Sequence, residues 1–371
     1  MTNTVQKRLL AIDGGGILGL ISLGMLAEVE AQLRDAHGGD PKFRLRDYFD
    51  YIGGTSTGAV IAAGLAIGKS VAELRRLYVE SGARMFDKAA LVRRWRYSYE
   101  ADNLRAMLRR EFGDGSILDL QRAGTLLPDR HLLVVTRNAN TDSPWPVSTN
   151  PTAKYNDIGR GDCNLLLPLW QLVRASTAAP TFFAPERLDL AEGRSFYFED
   201  GGVTAYNNPA FLLFRMATEP AYRCGWPTGE DRLMLVSVGT GMSYRTLDDH
   251  NPRGEGLLTS ASTIVGEVMR SIAVEQDIAC RTLGRCVHGS PLDREIGDLI
   301  LPHDPKRPKS FLYARYDVDV SQEGLNAAGL ADIPADVLVM DNAAMIPELE
   351  QIGDCAGKQV AMARHFGAFL P

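Results

Sequence analysis

Short apolar runs alternate with helical spacings along this chain. Residues 8–13 (RLLAID) form a run of strand length. Directly after it Ile17, Leu20, Ile21, Met25, Leu26, Val29 and Leu33 recur at intervals that predict a helix, which Gly38 and Gly39 stop. The cycle then repeats. Residues 47–54 (DYFDYIGG) predict a second strand and an Ala-rich helix starts near 57. Ser70 with Glu73 forms a capping box for a helix carrying Leu74, Leu77 and Tyr78. Further strands are predicted at 131–136, 195–200 and 232–239, and helices at 102–112, 167–178, 256–283 and 345–366. Residues 312–330 read as strand, turn and helix start. Strands interleaved with helices predict an α/β fold of three layers, α/β/α, with a mainly parallel central sheet.

Composition narrows the class. With 371 residues, 45% hydrophobic and 23% charged, the chain is long enough for a large core. The Pro- and Gly-bearing loops at 140–166, 219–230 and 303–310 are the best candidate boundaries, but none is long or polar enough to mark a second domain, so residues 1–371 read as a single α/β domain. The amino terminus lacks a secretory pattern, and the longest apolar run, 58–68, is too short to span a bilayer. Five scattered cysteines without a C-x-x-C pair suggest neither a disulfide framework nor a zinc site, and fit a cytoplasmic protein. A formal net charge of −6 argues against nucleic-acid partners. It hides a local excess, since residues 75–110 hold ten Lys or Arg against four Asp or Glu. Within it, 84–97 mixes apolar and basic side chains. That composition suits peripheral contact with an anionic membrane surface, and equally a solvated cap with its aromatics turned inward.

Two glycine-framed stretches carry candidate chemistry. Gly54-Thr55-Ser56-Thr57-Gly58 matches G-x-S-x-G between a predicted strand and a predicted helix. There a serine on a tight turn needs neighbours without side chains, and the helix start favours developing negative charge. Asp13-Gly14-Gly15-Gly16 likewise joins a strand to a helix. Its backbone N–H groups fit either a phosphate cradle or an oxyanion hole, although neither phosphate-binding glycine motif is complete.

A serine needs a base. None of the six histidines (His37, His131, His250, His288, His303, His365) lies in a stretch built for catalysis. Asp200, at a strand end before Gly201-Gly202, can be fixed and shielded there and so made more basic. The same three residues also read as a plain turn. Two further readings stay open: a Ser-His-Asp hydrolase using a later histidine such as His250 or His288, and a nucleotide-binding regulatory protein that uses the glycine loop as a phosphate nest.

Taken together, the motifs resemble the patatin-like family of lipid acyl hydrolases. That family orders a D-G-G-G-x-R-G loop, a G-x-S-x-G nucleophile and a D-G-G/A base as residues 13–19, 54–58 and 200–202 are ordered here. Residues 173–185 (VRASTAAPTFFAP), 207–209, 235–241 and 99–114 also look like the family, so the likeness covers about 8–241 and thins over the α/β extension 242–371. The resemblance implies a patatin-like fold and a Ser56–Asp200 dyad supported by Gly54, Gly58, Gly201 and Gly202. It implies an oxyanion hole at Gly14, Gly15 and Gly16, a lipid or acyl-ester substrate, and neither metal nor cofactor. Some bacterial members are switched on by a small nucleotide, and the C-terminal third is where such a sensor would lie. Leu18 stands where the family usually has Arg, which puts a phospholipid preference in question.

Overall fold

The computed structural model describes residues 5–86, 97–180, 183–190, 194–242, 257–293, 295–334 and 343–371. Its sheet contains β1 (Lys7–Ile12), β2 (Tyr51–Thr55), β3 (His131–Asn138), β4 (Ser143–Ser148), β5 (Glu186–Leu190), β6 (Arg194–Asp200), β7 (Leu233–Val238), β8 (Arg285–His288) and β9 (Leu312–Tyr316). The strands pair along the path β5-β6-β3-β2-β1-β7-β9-β8, with β4 also paired to β3. β2, β1, β7, β9 and β8 run parallel with β3, while β4, β5 and β6 form antiparallel pairs.

β1 reads as a continuous apolar run because both its faces are covered. Side chains alternate along a strand. Leu10 and Ile12 join one core with Leu20, Ile21, Leu74 and Ile352, whereas Leu9 and Ala11 join the other with Leu213, Phe214 and Tyr313. Helices on the two faces complete the three layers. The stretch Gly16–Ala36 is long and apolar enough to cross a membrane by length and composition, and 72% of its apolar 18-residue window is buried in the fold. Its helix Gly19–Ala36 packs on the helix Ile346–Gly357, where Gly24 and Gly353 meet with no room for a Cβ on either.

Register along β3 places the site. On one edge of β3, β2 ends with Thr55 paired to Val135, and β6 comes in antiparallel with Asp200 paired to the next residue, Thr136. The opposite edge is taken by β4. The ends of β2 and β6 therefore meet, although 144 residues separate Ser56 from Asp200.

The structure corrects two element boundaries. Leu45–Tyr48 is a short helix with Asp47 Oδ2 accepting the Arg44 N–H at 2.7 Å, and β2 begins only at Tyr51. The C-terminal helix stops at Gly357 and a separate turn, Met362–His365, follows. The break is fixed from outside: Gln32 donates to the Val360 carbonyl at 2.8 Å and Gln359 to the Asp317 carbonyl at 3.1 Å. Most of the basic stretch 84–97, and His250, lie outside the described residues.

Candidate active site

Ser56 joins β2 to the helix Thr57–Ala66 with φ 55° and ψ −122°, a left-handed backbone that a serine adopts only under constraint. The constraint is visible. A Cβ on Gly54 would overlap the Gly58 carbonyl, and one on Gly58 would overlap the Ile12 carbonyl, so the turn closes only with glycine at both places. The Ser56 N–H donates to Ser176 Oγ at 3.0 Å, and Ser176 Oγ–H donates to the Val135 carbonyl at 2.6 Å. Ser176 thus ties the elbow to β3.

Ser56 Oγ–H donates to Asp200 Oδ2 at 2.6 Å, while Asp200 Oδ1 accepts the Gly202 N–H at 2.7 Å. Both residues are almost covered, 9% and 3% exposed. Burial pushes the Asp200 carboxyl up to about 6, against the opposing pull of the Ser56 hydroxyl, the Gly202 N–H and the charge of Arg174. Gly201 gives the turn its close approach, since a Cβ there would overlap the Val135 carbonyl; on Gly202 it would lie 2.9 Å from Asn207 Oδ1.

The glycine loop lies against this pair. A Cβ on Gly14 would overlap Asn207 Oδ1 and lie 3.3 Å from Ser56 Cβ. The Gly14 N–H donates to the Asn207 carbonyl at 3.0 Å, and the Gly14 carbonyl accepts from Thr240 Oγ1 at 3.1 Å. Gly14 therefore has no N–H to offer a substrate, which departs from the three-glycine expectation. The Gly15 and Gly16 N–H groups have no acceptor among the described residues. In a trans peptide N–H and C=O point opposite ways, so the Gly15 N–H faces away from Thr240. A cleft opens beside the loop, lined by Gly14, Gly15, Leu18, Asn207, Met242 and Met269 among others.

The family model for patatin-like phospholipases matches residues 10–214, more than half of the chain. The chain belongs to the patatin-like phospholipase family. It is 32% identical over 231 residues to the cGAMP-activated phospholipase of Vibrio cholerae, covering 58% of this chain and 60% of that protein. It is 33% identical over 251 residues to the intracellular phospholipase A2 of Caenorhabditis elegans, covering 65% and 20%. Against patatin-like protein 1 of Oryza sativa subsp. indica the identity is 32% over 259 residues, covering 63% and 58%. The chain thus spans about three-fifths or less of the length of these relatives.

In this patatin-like protein Leu18 is buried, 5% exposed, on the cleft wall. Arg174, in the helix Leu169–Ser176, is fully buried, with its guanidinium 4.9 Å from the Phe183 ring and Nε and Nη1 without hydrogen-bond partners among the described residues. Described histidines are engaged elsewhere: His37 bonds the Leu33 carbonyl, His131 stacks on Trp226, His288 stacks on His365, and His303 pairs with Glu230. Sequence reasoning missed the roles of Ser176, Asn207 and Arg315, whose guanidinium pairs with the Asp13 carboxylate before the glycine loop. The first two lie inside stretches that resemble the family, but their partners are set only by folding.

Proposed function

We propose that this protein hydrolyses acyl esters of lipids, with Ser56 as nucleophile and Asp200 as its base. The observation that carries the reading is the 2.6 Å hydrogen bond from Ser56 Oγ to Asp200 Oδ2 on a left-handed elbow. Asp200 takes the hydroxyl proton as Oγ attacks the ester carbonyl, and returns it to the departing alcohol, leaving an acyl-Ser56. Water then gives a proton to Asp200, its oxygen attacks the acyl carbon, and Ser56 Oγ leaves with that proton as the fatty acid departs. The carbonyl oxygen is negative in both tetrahedral stages. The Gly15 and Gly16 N–H groups are the donors that remain to hold it, each worth about 3 kcal/mol. Gly54, Gly58, Gly201 and Gly202 keep the two turns closed.

The relatives' names support a phospholipase-type substrate, and we place the protein in the cytoplasm, working at a membrane face through residues 84–97. The test is hydrolysis of a mixed lipid extract, with products compared among wild type, Ser56→Ala, Asp200→Asn and single substitutions of each histidine. Loss of turnover in the first two alone is the expected result. Full activity in Asp200→Asn with loss in one histidine variant would replace the dyad by a triad. A nucleotide-binding protein would fail to label at Ser56 with a fluorophosphonate.

A further inference from the structure

The glycine loop of this chain is held by a cation from outside the stretch that matches the family. Arg315, 3% exposed on β9, reaches past β7 to the end of β1. Its Nη1 donates to Asp13 Oδ1 at 2.9 Å and to Ser237 Oγ at 2.7 Å. Its Nη2 donates to Asp13 Oδ2 at 2.7 Å and to Asp317 Oδ2 at 2.6 Å. Asp317 Oδ1 in turn accepts the Gly241 N–H at 2.9 Å. Gly241 follows Thr240, whose hydroxyl holds the Gly14 carbonyl.

Two arms therefore run from one guanidinium to the two sides of Gly14. The first is the Asp13 side chain, at the residue before Gly14. The second passes through Asp317 and Gly241 to Thr240. A planar fork fixes direction as well as distance, which a single ammonium does not. The family usually carries its cation inside the loop, where this chain has Leu18 buried against the cleft.

We propose that Arg315 is the positioning residue of the oxyanion loop, setting the direction of the Gly15 and Gly16 N–H groups through Asp13 and Thr240. The proposal rests on the acyl-hydrolase reading above. It makes the strand after residue 311 part of the catalytic apparatus, although the family match ends at residue 214. It also differs from a purely structural ion pair, whose loss would lower stability and leave the chemistry of the remaining folded enzyme unchanged.

The experiment compares wild type, Arg315→Lys and Asp13→Asn on a soluble ester and on its thionoester, in which sulfur replaces the carbonyl oxygen. Lysine keeps the charge and loses the fork. Asp13→Asn cuts the same link from the other end and still leaves Arg315 paired with Asp317, so it keeps the test open where Arg315→Lys does not fold. The expected result is a fall in kcat of about tenfold to a hundredfold on the oxygen ester, with KM nearly unchanged. The preference for ester over thionoester should shrink by a similar factor, because badly aimed N–H groups no longer favour oxygen. Folded variants with lowered thermal stability but unchanged kcat and an unchanged ester-to-thionoester ratio would overturn the proposal. Ser56→Ala, run alongside, reports on the hydrolase reading itself: retained turnover there sinks that reading whatever Arg315 does.

Discussion

Replacing Asp200 by Asn should make the protein more stable at neutral pH while its turnover falls. The argument starts from burial. Asp200 is 3% exposed, and burial raises its carboxyl from 3.8 to about 6 despite three stabilising partners. A raised carboxylate pKa means the folded chain binds the proton more tightly than the unfolded chain does. Ionised Asp200 therefore costs stability above pH 6, the cost builds up between pH 4 and 6, and it vanishes below pH 4. At 1.36 kcal/mol per pH unit the displacement amounts to about 3 kcal/mol. Asparagine keeps an oxygen for the Gly202 N–H and carries no charge. Urea unfolding of both proteins from pH 4 to 8 should show Asp200→Asn gaining on wild type across pH 4–6, then holding a lead approaching about 3 kcal/mol. Turnover should fall about 10²–10⁴-fold, the usual value of a general base. In wild type, kcat/KM should fall tenfold per pH unit below about 6, where Asp200 is protonated. A stability difference independent of pH, or an Asp200→Asn enzyme with wild-type turnover, would refute the reasoning.

Two further changes test the surroundings of the dyad. Ser176→Ala leaves the Ser56 N–H and the Val135 carbonyl without their side-chain partner; it should cost about 1–3 kcal/mol in denaturant and lower kcat more than it raises KM. Arg174→Met replaces a buried guanidinium whose Nε and Nη1 have no hydrogen-bond partner among the described residues, so thermal stability should rise. Because Asp200 then loses the charge that lowers its pKa, the acidic limb of the rate profile should move to higher pH, and an unmoved limb would show that Arg174 does not act on Asp200.

Much of this architecture is legible in the chain because the central strands are covered on both faces. β1, β3 and β7 are nearly unbroken apolar runs, and the turns after β1, β2 and β6 spend glycines beside a functional group. The edge of the sheet is harder to read. β4 holds Pro144 and Pro146, which argue against a strand, yet among the described strands it pairs with β3 alone and its prolines are two residues apart, as an edge permits. β5 alternates buried and exposed positions over five residues, with charges on the exposed ones, and β8 is four residues long. Neither run is long enough to stand out from a loop. At the site, Ser56, Asp200 and the glycines announce themselves through motif chemistry. Ser176 and Arg315 do not, since a serine in a helix and an arginine in a strand have a meaning only once 41 residues bring Val135 and 302 residues bring Asp13 against them.

The same contrast bears on the last third of the chain. Its sequence thins out against the family while its backbone does not stand apart from the sheet: β9 pairs with β7 over five residues, and β8 pairs with β9 beyond it. β7 in turn is one of the two neighbours of β1, the strand that delivers the glycine loop. Removing β9 would leave β7 as an edge, open the cores around Tyr313 and Tyr316, and strand Asp13 as a buried carboxylate without its cation. Arg315, at one position in this last third, delivers a charge to the loop in which Leu18 stands where the family pattern has Arg.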